Sequence, residues 1–399
     1  MAVEIKKNIF WIGVNDRTTD LFEGIWPVSK EGVTYNSYLI KDKKNVIIDL
    51  SKSIKTDSYF EEIEALIPLK KIDYVVINHV EPDHTGVLKI FRQLAPSAKI
   101  LCTAKAQIML SDYYAVTDNI ITVEDGQTLD IGERKLVFYH APFVHWPETM
   151  VTYNPDDKIL FSCDAFGSYG AFSGSIFDSE CKNIDFYIKE ALRYYVNIVA
   201  KFSRNVLLAI DKLKGVDIKI IAPSHGLIWR ENPGKIVAHY KEWAELAGKP
   251  GEPGITLMYG SMYGNTEKLM NSVALGAAES GLPIEIFDIA RTPISYIMPY
   301  AWKRAGVIIG APTYEVGLFP PMTDALEHLS LKRIENKKAI YFGSYGWSGG
   351  ALAKVKSIIT PLKWELTDAF EFQGGASEKH IATGYELGKK FALSLKNGR

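Results

Sequence analysis

A short polar stretch, residues 78–86, carries four side chains able to bind a metal ion. They are His79, Glu81, Asp83 and His84. The stretch follows the apolar run 74–77, which predicts a buried strand, and Pro82 disfavours a strand or helix interior, so we expect a loop. Imidazole and carboxylate groups together suit iron, manganese or zinc, and carboxylates can bridge two ions. The alternative interpretation is a polar loop that caps the next helix, with Asp83 as the N-cap residue.

Further polar side chains follow strand-like runs in the first half of the chain. They are His145 after residues 135–139, Asp164 after 159–162, and His225 after 218–222. If the fold brings these strand ends to one edge, three histidines and three carboxylates meet there. Such a set offers each of two ions about three protein ligands and leaves open positions for small molecules.

The composition limits the partners and the compartment. The chain has 399 residues, 47% hydrophobic and 23% charged, which is typical of a globular protein of two or three domains. A net charge of −1 argues against a nucleic-acid partner, because a phosphate backbone requires a basic surface. No apolar run is long enough to span a membrane, and residues 1–7 lack the apolar segment of a signal peptide, so we expect a cytoplasmic protein. Cys102, Cys163 and Cys181 form no C-x-x-C pair, which predicts reduced thiols and no rubredoxin-type site in these residues.

The composition changes at residues 249–254, which are rich in glycine and proline and predict an interdomain linker. Strand-like residues 255–259 then lead into a loop before a helix that we expect to begin at Glu267. Backbone N–H groups and hydroxyls at a helix N-terminus bind anions, so this loop predicts a monophosphate site. The alternative is a simple tight turn between strand and helix. The candidate binding residues are Ser261, Met262, Tyr263, Gly264, Asn265 and Thr266.

Two later loops contain aromatic side chains among glycines, after the predicted strands 306–310 and 339–342. Ligands of α/β sheets bind at the carboxyl ends of strands, and aromatic faces can enclose a planar ring. Both loops are therefore candidates for the same ligand, although Trp347 could instead be a packing residue. The candidate residues are Pro312, Thr313, Tyr314 and Gly317, and in the second loop Ser344, Tyr345, Gly346, Trp347, Gly349 and Gly350.

The pattern of metal-binding residues resembles the di-iron site of the flavodiiron proteins, also called A-type flavoproteins. The resemblance implies a metallo-β-lactamase-like αββα sandwich over residues 1–248. In zinc hydrolases of that superfamily a histidine occupies the position of Glu81, so the glutamate implies iron and redox chemistry. His84 is a ligand in the hydrolases but is usually displaced in the flavodiiron proteins, so we leave it outside the ligand set. The implied ligands of two iron ions are His79, Glu81, Asp83, His145, Asp164 and His225.

Residues 255–399 resemble flavodoxin, which implies a doubly wound parallel sheet of strand order 2-1-3-4-5 and FMN as the ligand. By this resemblance residues 261–266 hold the FMN phosphate, and the loops around Thr313 and Tyr345 flank the ring. The expected fold therefore combines α+β and α/β domains, with the linker at 249–254 between them.

Together the two resemblances imply an oxidoreductase. FMN receives electrons from an external donor, a rubredoxin or in some members a deazaflavin, and passes them to the di-iron site. That site reduces O2 to water, NO to N2O, or both. The family forms head-to-tail homodimers, or dimers of dimers, in which the FMN of one subunit lies beside the irons of the other. Two alternatives stay open: a metallo-hydrolase fused to a flavodoxin module, and an electron carrier whose metal domain is only a scaffold or sensor.

Two further features lie near the implied di-iron site. Many family members have a histidine after the aromatic residue of the early loop, whereas here Glu23 follows Phe22. Tyr194 or Tyr195 could donate a hydrogen bond in the pocket, although an ordinary helix-face tyrosine is the simpler interpretation of either. The sequence therefore predicts no preference between O2 and NO.

Overall fold

The structure is a computed structural model that describes residues 2–397. The chain forms two compact units, which divide between Ala244 and Glu245. The expected domain limits, 1–248 and 255–399 with a linker at 249–254, stay a prediction. Within that expected linker, the first strand of the second unit already begins at Glu252.

The first unit is built from short strands and helices. Its strands are β1 (Val3–Lys6), β2 (Ile9–Trp11), β3 (Val14–Asp16), β4 (Leu21–Phe22), β5 (Trp26–Pro27), β6 (Val33–Tyr35), β7 (Tyr38–Ile40), β8 (Asn45–Ile48), β9 (Ile72–Val76), β10 (Lys99–Cys102), β11 (Ile120–Thr122), β12 (Thr128–Asp130), β13 (Lys135–His140), β14 (Met150–Asn154), β15 (Ile159–Cys163) and β16 (Ile220–Pro223). Its α-helices are α1 (Thr56–Leu66), α2 (Pro82–Thr85), α3 (Leu88–Leu94), α4 (Ala104–Tyr114), α5 (Ile184–Tyr194), α6 (Ser203–Lys212) and α7 (Pro233–Glu245). Shorter turns are the 3-10 segments Leu69–Lys71, Asp178–Glu180 and Ala200–Phe202 and the π-helical turn Tyr195–Val199.

Two sheets pack face to face in this unit. Among the described residues their strand orders are β1-β2-β7-β8-β9-β10-β11 and β12-β13-β14-β15-β16. The facing side chains form one buried core, with Val76 and Leu101 from the first sheet and Phe138 from the second. Because side chains alternate along a strand, Tyr139 and Val151 lie on the opposite face, under α6. The layers confirm the expected αββα sandwich.

The candidate metal ligands follow strands that run in parallel. β8, β9 and β10 are parallel neighbours in one sheet, and β15 and β16 form a parallel pair in the other. His79 and Glu81 follow β9, whereas Asp164 and His225 follow β15 and β16. The expectation of a loop throughout the motif is wrong in its second half, because Pro82 begins the one-turn helix α2. Proline is favoured at the first position of a helix, where its missing N–H loses no intrahelical hydrogen bond.

The second unit alternates strands and helices. Its strands are β17 (Glu252–Tyr259), β18 (Ile284–Asp288), β19 (Arg304–Gly310), β20 (Thr313–Tyr314), β21 (Gly317–Leu318), β22 (Lys338–Tyr345) and β23 (Glu365–Gln373). Its α-helices are α8 (Asn265–Ala278), α9 (Ile294–Lys303), α10 (Pro320–Leu331), α11 (Ala351–Ile359) and α12 (Glu378–Asn397), and a 3-10 turn covers Thr360–Leu362.

A parallel sheet of order β18-β17-β19-β22-β23 forms the centre of this unit, which confirms the expected order 2-1-3-4-5. Two boundaries differ from expectation. Helix α8 begins at Asn265, because Gly264 adopts the left-handed conformation that turns the chain into the helix. Strand β22 continues through Ser344 to Tyr345, because its pairing with β23 extends that far. No helix within residues 2–397 has the length and apolarity needed to cross a bilayer.

Candidate functional site

The first group of candidate ligands meets around the carboxylate of Glu81. The Oε2 atom of Glu81 lies 3.1 Å from Nε2 of His79 and 3.0 Å from Nε2 of His145. The Oδ2 atom of Asp164 lies 3.6 Å and 3.5 Å from the same two nitrogens. We call this set of four side chains cluster 1.

A second group meets at the other oxygen of Asp164. Its Oδ1 atom lies 3.2 Å from Nε2 of His84 and 3.3 Å from Nε2 of His225. The carboxylate of Asp83 also lies between these histidines, with Oδ1 3.4 Å from His84 and Oδ2 3.2 Å from His225. We call Asp83, His84, His225 and Asp164 cluster 2. Asp164 therefore directs one oxygen at each cluster.

The structure places His84, which the sequence analysis left outside the ligand set, in cluster 2. Its Nε2 atom faces cluster 2, and its side chain is buried. Local sequence could not reveal this, because the direction of a side chain on the short helix α2 depends on packing against distant residues. The six expected ligands all lie in the two clusters, and Asp164 belongs to both.

The residues of both clusters fit metal ions. Among the described residues, both carboxylate oxygens of Asp83 and the Nε2 atoms of His84 and His225 are buried without a hydrogen-bond partner. Leaving such groups unsatisfied is costly, and a cation coordinated by all of them removes that cost. Mixed carboxylate and imidazole ligands suit iron, and a carboxylate shared by two clusters suits a pair of ions.

The nearby carboxylates hold protons on the imidazoles of His225 and His79 when no cation is bound. Burial favours a lower pKa for His225, but Asp164 and Asp83 outweigh it and raise the pKa to about 10. For His79, burial is likewise outweighed, chiefly by Glu148, and the pKa lies well above its usual value. Metal binding requires neutral imidazoles, so protons and metal ions compete for these atoms.

We expect the metal-free chain to lose stability between about pH 7 and pH 10. The pKa of His225 is about 10 in the folded chain, against 6.5 for an ordinary histidine. The group therefore stabilises the fold fully below its unfolded pKa, and this contribution disappears as the pH rises through the folded pKa. The metal-loaded chain should not weaken in this way, because its imidazoles are already neutral. Urea unfolding of both forms across this range measures the difference, and parallel pH profiles would contradict it.

Buried groups orient the histidines through their second ring nitrogen. The Nδ1 atom of His225 lies 2.5 Å from the carbonyl oxygen of Thr34, which can only accept, so Nδ1 carries the proton and Nε2 is free to bind a metal. The Nδ1 atom of His79 lies 2.6 Å from Glu148, whose carboxylate also accepts from the N–H of Val80. The sequence analysis missed Glu148; the only signal was a carboxylate three residues after a candidate ligand.

Tyr194 is also part of this site. Its hydroxyl is buried and donates to Oδ1 of Asp164 at 2.9 Å. The hydroxyl of Tyr195 instead pairs with Ser203 on α6, at 2.6 Å. The simpler interpretation, an ordinary packing tyrosine, is therefore wrong for Tyr194. The π-helical turn that begins at the next residue is of a kind frequent at functional sites.

Phe22 covers one side of cluster 2. Its ring meets the ring of His225 edge-on, with centroids 5.3 Å apart, and also contacts Tyr194. The next residue, Glu23, lies at the tip of the β4–β5 hairpin and accepts a hydrogen bond from the indole of Trp26 at 2.9 Å. The early loop therefore contributes an apolar wall rather than a further ligand to cluster 2.

The expected phosphate loop of the second unit connects β17 to α8. Gly264 has φ of +86°, which favours glycine, and its N–H donates to Oγ of Ser261 at 3.0 Å. Thr266 is buried in the first turn of α8, with its hydroxyl 3.0 Å from Oγ of Ser344. The N–H groups at the start of α8 and these hydroxyls fit a phosphate group.

Exposed aromatic side chains lie near this loop, at the carboxyl ends of the strands. Trp347 is 81% exposed and Tyr263 is 91% exposed, unusually high values for rings of this size. A Cβ atom on Gly350 would lie 2.0 Å from the carbonyl oxygen of Val316. Glycine is therefore needed where the loop at 344–350 approaches the loop at 312–317. These surfaces fit a flat ring such as the isoalloxazine of FMN. The other expected flavin residues lie on the same loops and strand ends: Met262, Asn265, Pro312, Thr313, Tyr314, Gly317, Tyr345, Gly346 and Gly349.

Comparisons with known proteins support a β-lactamase-like first unit and a flavodoxin-like second unit. Residues 33–226 match the family described as ODP family beta lactamase, and residues 257–388 match flavodoxin. An anaerobic nitric oxide reductase flavorubredoxin of Pectobacterium atrosepticum is 34% identical over 98% of this chain and 78% of its own length. The rubredoxin oxygen:oxidoreductase of Desulfovibrio gigas has a TM-score of 0.94 at 28% identity, over 99% of both chains. The flavodiiron protein of Giardia intestinalis has a TM-score of 0.91 at 28% identity, over 99% of this chain and 97% of its own.

Proposed function

Because the chain belongs to the flavodiiron protein family, we propose that it passes electrons through FMN to two iron ions that reduce O2 to water, NO to N2O, or both. The observation that carries this proposal is Asp164, which directs one carboxylate oxygen at each of two clusters. A carboxylate in that position could serve as a ligand to each of two ions. The proposed iron ligands are His79, Glu81, Asp83, His84, His145, Asp164 and His225.

A pair of iron ions would supply the electrons and the adjacent binding positions that O2 reduction or NO coupling needs. The chain's own residues position the metal ligands and exclude water from the site. Asp164 sets the separation of the clusters, and the hydroxyl of Tyr194 holds Oδ1 of that carboxylate in position. Phe22 covers His225 and excludes water from that side, which strengthens the electrostatic interactions within the pocket.

FMN would supply electrons one at a time, and the second unit would hold it at two places. The loop from Ser261 to Thr266 would bind the phosphate, and the exposed rings near Trp347 would cover the isoalloxazine. Neither surface has an evident use in the alternative of a metallo-hydrolase.

We expect Thr266→Ala to weaken FMN binding by roughly 10- to 100-fold, the equivalent of one lost hydrogen bond to a charged group. The iron content should not change, because Thr266 belongs to the other compact unit. Fluorescence titration of the flavin-free chain with FMN measures the affinity. The matched control is Asn271→Ala, an exposed position on the same helix. Unchanged affinity in Thr266→Ala would exclude this residue from the phosphate site.

We propose a rubredoxin-type protein as the electron donor. The name of the similar Desulfovibrio gigas enzyme supports this choice. Stopped-flow reduction of the bound flavin by reduced rubredoxin, compared with reduction by a deazaflavin cofactor, tests it. Reduction by the deazaflavin alone would reject rubredoxin as the donor.

We also propose a head-to-tail homodimer, alone or paired into a dimer of dimers. In support, the first unit exposes aromatic rings beside cluster 1: Tyr113 is 52% and Phe143 is 38% exposed. Trp146 joins Tyr113 to the site, because its ring lies 6.3 Å from that of Tyr113 and 5.0 Å from that of His79. At an FMN concentration that leaves Thr266→Ala chains without flavin, activity from a mixture of Asp164→Ala and Thr266→Ala chains, after dissociation and reassociation, would require electron transfer between subunits. A fully active monomer in analytical ultracentrifugation would contradict the dimer.

We place the protein in the cytoplasm as a further proposal. All three cysteines are free, and Cys102 and Cys163 are buried, which suits a reducing compartment. Cell fractionation tests it, and recovery of the protein with the extracytoplasmic fraction would reject it.

Metal and flavin analysis of anaerobically purified protein is the direct test of the function. Two irons and one FMN per chain, with rapid reoxidation of reduced FMN by O2 or NO, are the expected result. The faster gas identifies the preferred substrate. Zinc without iron, together with slow flavin reoxidation, would instead favour the hydrolase, and bound iron without turnover would favour an electron carrier.

A further inference from the structure

A small apolar cavity lies between helix α6 and the sheet that delivers Asp164. Its volume is about 20 Å³. Val206 and Ile210 line it from the helix, and Val151 lines it from the sheet. It is distinct from the two clusters, and none of the proposed iron ligands lines it.

The cavity nevertheless borders the metal centre. One wall is Val144, the residue before His145, and another is Ala165, the residue after Asp164. Consecutive Cα atoms are about 3.8 Å apart, so the backbone of each of these two proposed ligands lies directly next to the boundary. The side chains on that boundary are small and apolar.

Two polar side chains at the rim of the cavity, Lys212 and His140, already have partners. The ammonium of Lys212 donates to Asp125 at 2.8 Å and to the carbonyl oxygen of His140 at 2.7 Å. The Nε2 atom of His140 lies 3.0 Å from the carbonyl oxygen of Val123. A buried water needs two to four polar partners, which the apolar lining of the cavity does not offer. Dry apolar cavities bind small apolar molecules such as xenon.

We propose that this cavity is a docking site for one molecule of O2 or NO beside the metal centre. The inference rests on the proposed function, because it assigns the cavity to the substrates of that same site. Both gases are small and nearly apolar, so they favour an apolar cavity over water. The volume of about 20 Å³ exceeds the roughly 10–15 Å³ that one water needs, which leaves room for one diatomic molecule. Gas held there would reach the clusters past Val144 and Ala165 rather than from bulk solvent.

Xenon is the probe for the cavity. Crystals of the holoenzyme under xenon pressure should show an anomalous peak in contact with Val206 and Ala165. Val206→Ala enlarges the cavity and should raise the xenon occupancy. The readout does not depend on turnover, so it stands whether or not the enzyme is active in the crystal.

Ala209→Phe should fill the cavity from α6, because Ala209 lines it. We expect loss of the xenon peak and a severalfold lower kcat/KM for the gas, with kcat at saturating gas and iron content unchanged. Leu208→Phe is the matched control, since Leu208 is the neighbouring residue and is 58% exposed. It adds bulk to the same helix outside the cavity and should leave both readouts unchanged.

The possible failures are distinguishable. A wild-type enzyme that consumes O2 or NO but binds no xenon in the cavity would overturn this inference and leave the proposed function standing. An unchanged kcat/KM in Ala209→Phe, with the xenon site lost, would also overturn it. If Ala209→Phe does not fold, the xenon occupancy of Val206→Ala decides. An iron- and FMN-loaded enzyme that consumes neither gas would overturn the proposed function itself.

Discussion

Asp164→Ala should remove iron from both clusters and lower the rate of gas reduction by more than about 100-fold, the usual upper limit for losing an outer-shell partner. The reason is geometric. The two oxygens of Asp164 lie within 3.6 Å of four imidazole nitrogens, two in each cluster. Without this carboxylate, buried histidines face one another with less negative charge between them. Both ions therefore lose a ligand at once.

Iron and flavin per chain, measured on the same purified sample, test this expectation. FMN should stay at the wild-type level, because the second unit has its own core. Asp217→Ala is the control, since this carboxylate of the same unit is 52% exposed and pairs with the surface residues Lys158 and Lys219. Full iron occupancy in Asp164→Ala would remove the residue from the proposed ligand set.

Glu148→Gln should weaken metal binding in cluster 1 by about 10- to 100-fold, with a smaller effect on cluster 2. The substitution keeps the size and an acceptor oxygen but removes the charge beside Nδ1 of His79. That charge contributes to the high pKa of His79, so its loss makes the imidazole a weaker ligand. This result would distinguish a residue that orients a metal ligand from a residue that is itself a metal ligand.

Competition with a chelator measures this effect, because the more weakly held ion is released first. We expect two release phases in Glu148→Gln, with the faster one assigned to cluster 1. Glu133→Gln, an exposed carboxylate of the same unit, is the control and should match the wild type. Equal release from both clusters would contradict the assignment of Glu148 to His79 alone.

Several parts of this protein were predictable from short stretches of sequence. Many buried strands in both units are apolar runs, which the hydrophobic pattern of the sequence indicates directly. The resemblances to the flavodiiron proteins and to flavodoxin then implied the two folds, which the structure bears out. The limits of helices and strands were less predictable, because Pro82 begins a helix that the sequence analysis did not expect.

The division of the ligands between two clusters depended on the tertiary structure. The sequence presents His79, Glu81, Asp83 and His84 as one group. The fold separates them, with the first two in cluster 1 and the last two in cluster 2. The direction of each side chain is set by contacts with distant strands, which no local pattern records.

The sequence by itself determined the chemical types at the site and, through family resemblance, the class of reaction. The tertiary structure decided which residues act together: Glu148 orients His79 from 69 positions away, and Tyr194 reaches Asp164 from 30 positions away. It also separated Tyr194 from Tyr195, which the sequence could not distinguish. The physical reason is that strand periodicity and turn chemistry are local, whereas the hydrogen bonds that satisfy buried polar groups join segments that only folding brings together.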